Sequence, residues 1–138
     1  MQSDELSQIP GLIKSFYPKC QAIYLFGSFG NGKQNSHSDV DIAILLPIID
    51  SKAFKSIQFS ACQTQLCLAL RREVDLINLR AVSTVFQNEI VSSARLIDCQ
   101  DRAATEEFEM LSLSLYQKLN EERKEILEEI MQSGRVLS

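Results

Sequence analysis

The sequence predicts an α/β (α+β) fold in which a small mixed β-sheet is flanked by helices and followed by a long C-terminal helix. Three observations lead there. Short runs rich in β-branched and aromatic residues stop abruptly at Gly27 or Pro47. The segments between such runs space their apolar residues as helices do. From Asp101 to Gln132 the chain carries strong helix formers with neither Pro nor Gly. With 138 residues, 45% of them apolar and 23% charged, and only 5 Gly and 3 Pro, one domain with a real core is expected. That composition excludes a disordered or collagen-like chain.

Taken in order, residues 7–16 read as a short helix. Residues 20–26 (CQAIYLF) read as a buried strand running into a tight turn at Gly27, and a polar, Gly-rich stretch follows to Ser38. Residues 40–46 form a second strand, closed by Pro47. Asp50 and Ser51 can cap a helix reaching Arg72, with Phe54, Ile57, Ala61, Cys62 and Leu66 as its apolar side. Residues 74–79 (VDLINL) read as a third strand, 83–93 as a helix and 95–99 as a short fourth strand. Residues 101–132 make one long helix or two, with Leu111, Leu115, Leu119, Ile126 and Ile130 at helical spacing and Gly134 as a stop. No internal repeat or linker divides the chain, so 1–138 is read as a single domain, a core at 7–99 with a helical appendage at 101–133. That helix is expected to pack on the core; the alternative is that its second half, overhanging so small a domain, carries a subunit contact.

Composition also bounds the partners. The 14 Lys+Arg against 18 Asp+Glu leave a net charge of −4, which argues against direct nucleic-acid binding. The longest apolar run, residues 42–46, is far short of the roughly 20 residues that cross a bilayer. An acidic, polar N-terminus lacks the features of a secretory signal, so a cytoplasmic protein without a membrane partner is expected. Cys20, Cys62, Cys67 and Cys99 stand in apolar contexts with no Cys-x-x-Cys pair, and buried reduced thiols are the expectation.

The chemistry concentrates in residues 27–41. Gly27, Gly32 and Lys33 imitate a P-loop, but Gln34 stands where that loop needs a hydroxyl for Mg²⁺, and the polar residues that follow do not start an amphipathic helix. The other parse is Gly27-Ser28 ending one strand, then ten residues, then Asp39-x-Asp41 on the next. Residues two apart on a strand share a face, so Asp39 and Asp41 project together while Val40 and Ile42 face the core. Adjacent carboxylates repel unless cations lie between them, and Mg²⁺ prefers carboxylate oxygens together with substrate phosphates. Gly27 allows close backbone approach to a polyphosphate, and Ser28 offers a hydroxyl and an amide. A third carboxylate is expected on a neighbouring strand. Asp75 is the candidate, an acid amid an apolar strand where burial is costly without a partner. Glu73 on the same face is an alternative, and pairing of Asp75 with Arg71, Arg72 or Arg80 is the competing structural explanation.

These residues resemble the active-site signature of the DNA polymerase β-like nucleotidyltransferase superfamily. The segments FGSFGNGKQNSHSDVDIAIL, REVDLINL and LNEERKEILEEI together are similar to the minimal nucleotidyltransferases, the MntA-type antitoxins of HEPN–MNT toxin–antitoxin modules. The resemblance implies the polymerase β-like fold and a protein adenylyltransferase that moves AMP from ATP onto a tyrosine of a HEPN ribonuclease toxin, silencing it. It implies two Mg²⁺ ions, with Mn²⁺ also suited, on Asp39 and Asp41, Asp75 sharing the catalytic metal, and triphosphate contacts from Gly27 and Ser28. Lys33 stands near where many relatives carry an arginine and is a further phosphate contact. A hetero-oligomer with the toxin follows. The alternatives are a noncatalytic antitoxin that masks its toxin, and nucleotidyl transfer to a small molecule such as an aminoglycoside.

Overall fold

The computed structural model describes residues 3–27, 39–53, 57 and 60–133. Within them the chain runs α1 (Ser3–Phe16), β1 (Ala22–Phe26), β2 (Val40–Leu45), α2 (Ile48–Ala53), α3 (Ala61–Leu70) and β3 (Val74–Asn78). A 3-10 turn (Leu79–Ala81), α4 (Thr84–Ser93), β4 (Arg95–Cys99) and α5 (Arg102–Gln132) complete it. The strands lie in the order β3-β2-β1-β4. β1 is antiparallel to both β2 and β4, while β2 and β3 are parallel, so the sheet is mixed. A parallel pair needs a crossover, and α2 and α3 supply it.

Alternation along the strands builds two apolar layers. Ile23, Leu25, Val40, Ile42, Ile44 and Leu76 face Ile9 and Ile13 of α1 and Leu66 of α3. Ala22, Tyr24, Ala43 and Leu45 face Ile90 of α4 and Phe108 of α5. Tyr24 is 2% exposed and donates its hydroxyl to Glu109 Oε1 at 2.6 Å, so α5 is tied to the sheet by a polar contact beside the apolar one. Burial and that carboxylate both hold the phenol in its protonated form.

Local chemistry sets the boundaries. The single helix expected up to Arg72 is two. α2 begins at Ile48, so Asp50 and Ser51 lie within it rather than capping it, and Ser51 donates its hydroxyl to Asn78 Oδ1 at 3.3 Å. α3 restarts at Ser60, whose hydroxyl accepts from the Gln63 backbone N–H, and it ends where Arg71 adopts φ 54°. Phe54 lies outside the described residues, and Ile57 is buried in the first layer. β1 starts at Ala22, two residues later than the sequence pattern suggests, and α1 starts earlier, at Ser3. The cysteines are free thiols, yet only Cys20 and Cys62 are buried; Cys67 and Cys99 are half-exposed. Burial pushes the Cys20 thiol up to about 12 and the Cys62 thiol up to about 11.

α5 is one continuous helix, capped by the Asp101 side chain, which accepts from the Ala104 N–H. Its helical spacing is as expected; it packs on the core only over its first part, and the rest overhangs the domain. Only Thr105, Phe108 and Ser112 are buried, whereas Leu111, Leu115 and Ile126 are exposed. A helix of 31 residues spans about 46 Å at 1.5 Å per residue, and strands of five residues are too short to cover it.

Candidate active site

The site grows out of the alternation of β2. On the face beneath α4 and α5, Leu45 and Ala43 are buried; continuing backwards along the same face come Asp41, half-buried, and Asp39, exposed. β3 runs parallel beside it in a register that aligns Asp41 with Asp75. Adjacent strands are about 4.8 Å apart and residues two apart on a strand about 7 Å, so the three carboxylates share one patch of sheet. The Asp41 carboxyl is pushed above its ordinary value, first by burial and then by the negative charges of Asp75 and Asp39.

Gly27 closes the patch from β1. The pairing of Phe26 with Asp41 places the next residue against the Asp41 carboxylate. A Cβ on Gly27 would collide with Asp41 Oδ2, and its φ of +68° is a conformation that side-chain-bearing residues rarely adopt. Glycine is therefore favoured here by its backbone conformation and by the close approach of the Asp41 carboxylate. Ser28 and Lys33 lie outside the described residues.

The structure corrects the reasoning behind Asp75. It is exposed, not buried, because β3 is an edge strand and this end of the face extends beyond its helical cover. No desolvation cost forces a partner on it. Arg80 points elsewhere: its Nε donates to the Leu46 carbonyl at 2.6 Å and its Nη2 to Gln21 Oε1 at 2.9 Å, at the opposite end of the sheet. The Arg72 guanidinium reaches Glu5 at 3.7 Å. Glu73 also opens to solvent, next to Asp39, since the Val40 N–H donates to the Glu73 carbonyl.

A cavity of 370 Å³ lies at the β3 edge of the sheet, where Asp39, Glu73 and Asp75 of this patch meet Gln63, Cys67 and Val74 of the α1/α3 layer; Asp41 and Gly27 do not line it. Sequence reasoning missed Gln63 and Cys67. The available signal was their four-residue spacing on the helix that feeds β3, which puts both on one helical face.

Among the described residues no three acid, Cys or His side chains converge tightly enough to enclose a metal ion unaided. Mg²⁺ does not require such a cage: it is usually held by one or two carboxylates, waters and substrate phosphates. A paired Asp41–Asp75 register, with Asp39 alongside and the Asp41 carboxyl pushed above its ordinary value by burial and by its acidic neighbours, fits a cation that arrives with a nucleotide. Hard oxygen donors clustered in this way suit phosphoryl or nucleotidyl transfer.

Those features define a class, and the comparisons agree. Residues 8–103 match the polymerase beta, nucleotidyltransferase family, and the chain belongs to it. Among individual relatives, the protein adenylyltransferase MntA of Shewanella oneidensis is 34% identical over 131 residues, covering 95% of this chain and 91% of that protein. A crystal structure of a toxin–antitoxin with AMP-PNP contains a chain that superposes with a TM-score of 0.70 at 33% identity, covering 91% of this chain and 98% of that one. The structure of tri-AMPylated Shewanella oneidensis HEPN toxin in complex with MNT antitoxin matches with a TM-score of 0.67 at 32% identity, covering 95% of this chain and 99% of that one.

Proposed function

We propose that this chain is a protein adenylyltransferase acting as an antitoxin, which transfers AMP from ATP to a tyrosine of a cognate HEPN-type toxin and so neutralises it. The observation that carries the reading is the alignment of Asp41 with Asp75 on the face that also holds Asp39, beside Gly27. The likeness to MntA over nearly the whole of both chains supports the same activity. Asp39 and Asp41 hold divalent cations, with Asp75 sharing one of them; Gly27, Ser28 and Lys33 contact the triphosphate. Bound Mg²⁺, or Mn²⁺ in its place, neutralises charge on the triphosphate and on the departing pyrophosphate. In this reading Asp75 takes the phenolic proton as the tyrosine oxygen bonds to the α-phosphorus. The bond from that phosphorus to the bridging oxygen breaks, pyrophosphate leaves, and AMP remains on the tyrosine. Positioning and electrostatics supply the acceleration. No helix among the described residues is long and apolar enough to cross a membrane, and use of ATP fits a cytoplasmic site of action.

The test is the intact mass of the cognate toxin after incubation with this chain, ATP and Mg²⁺, beside an Asp39→Asn/Asp41→Asn control. A gain of one or more AMP masses that disappears in the control is the expected result. An unmodified toxin, inactive in a stable complex, would replace catalysis by masking.

A further inference from the structure

Helix α5 loses its partner about a third of the way along. Thr105, Phe108 and Ser112 are packed on the domain, and no later residue of the described helix is buried. The same stripe nevertheless continues. Leu115, Leu119, Ile126 and Ile130 follow Phe108 and Ser112 at steps of four, three, four, seven and four, which keep to one side of a helix. Leu115 is 45% and Ile126 57% exposed. Residues 113–132 project roughly 30 Å, and helices in proteins draw most of their stability from packing of their apolar face, which this part lacks within the described residues.

The stripe begins at a cavity. A hollow of 200 Å³ between α4 and α5 is lined by Arg80, Phe108, Ser112 and Leu115, among others. The Ser112 hydroxyl there is buried without a hydrogen-bond partner, and the Arg80 guanidinium lies 5.2 Å from the centre of the Phe108 ring. An adjoining cavity of 430 Å³ shares Arg80 and Phe108 and is flanked by Ile48 and Ile49, 59% and 82% exposed. Half of the girth of a 30 Å helix is about 500 Å², the greater part of the roughly 800 Å² that a stable interface buries on each partner.

Resting on the antitoxin reading, we propose that this stripe and the cavities at its base are the docking surface for the HEPN-type toxin. The matches cover 98% and 99% of the antitoxin-like chains seen in toxin–antitoxin structures, so those chains have almost nothing beyond what this chain also has with which to hold a toxin. Among the exposed large apolar side chains described, Leu115 and Ile126 lie on this stripe and Leu111 beside it at its base. Docking and chemistry then use opposite ends of the sheet: Gln21 and Pro47 of the larger cavity lie beyond the pairing of Ala22 with Leu45, whereas Asp41 pairs with Phe26.

Calorimetric titration of the cognate toxin with the full chain tests this. Leu115→Glu/Ile126→Glu is expected to weaken binding at least 100-fold while its circular dichroism and thermal midpoint stay near wild type, and Asp39→Asn/Asp41→Asn is expected to bind within threefold of wild type. Wild-type affinity in the α5 variant would overturn the proposal, as would a wild-type chain that does not bind the toxin. So would light scattering showing that the α5 variant loses only self-association, since a second copy would then be the occupant. AMP transfer is scored separately: wild-type chain that binds through α5 but leaves the toxin unmodified refutes the activity and leaves the docking surface standing.

Discussion

On the face that packs against α1 and α3, β2 contributes Val40, Ile42 and Ile44, all fully buried; on the face beneath α4 and α5 it contributes Leu45 and Ala43 and then changes to Asp41 and Asp39. The first face is covered for the whole length of the strand, whereas cover on the second stops short, and the acids occupy the part left open. Asp41 sits at the boundary, where its burial and then the like charges of Asp75 and Asp39 raise its pKa. One strand thus separates stability from chemistry by side-chain parity. The part that does chemistry is held in a state which, without a cation, works against the fold.

Four substitutions or conditions probe that difference, in decreasing size of effect. Ile42→Ala, on the fully covered face, is expected to cost about 2–5 kcal/mol in urea unfolding, because the close-packed layer cannot collapse around the void. Gly27→Ala, on the open face, is expected to slow AMP transfer at least ~100-fold, about 2.7 kcal/mol of barrier, while the thermal midpoint moves by only a few degrees. Single-turnover rates would show it, and a rate near wild type would mean that Asp41 moves aside freely. Tyr24→Phe, which cuts the bond to Glu109 but keeps the ring, is expected to cost about 1 kcal/mol in the same unfolding assay.

The smallest effect is pH dependence. Asp41 binds its proton more tightly in the folded chain than in the unfolded one, so the folded state carries the extra proton between the ordinary value of 3.8 and the raised folded value. Its contribution to stability is therefore lost as pH rises through that window. Thermal midpoints measured across it should fall with rising pH in wild type and less so in Asp41→Asn, and Mg²⁺ with nucleotide should offset the loss at higher pH.

The sheet and the carboxylate pair were legible because period-two alternation assigns faces without any tertiary information: Val40 and Ile42 in, Asp39 and Asp41 together on the other side. The split between α2 and α3 was not, since it depends on Ser60 capping a new helix inside a run whose apolar spacing looks continuous. The exposure of Asp75 was hidden for a different reason. Whether an acid in an apolar strand is buried depends on strand order, and only the order β3-β2-β1-β4 reveals that β3 lies at an edge. The spacing of α5 and the overhang of its second half were legible, but the point at which packing stops was not, because spacing says which side of a helix is apolar and not how far the domain extends beneath it.

The central claim is that the acids on the open face serve catalysis at the expense of the fold, and Asp41→Asn tests it most directly when thermal midpoint without metal and AMP-transfer rate are measured on one preparation. The expected result is a midpoint raised above wild type, since the half-buried charge beside Asp75 and Asp39 is gone, together with transfer slowed at least ~1000-fold. A midpoint unchanged or lowered, with transfer within tenfold of wild type, would contradict it.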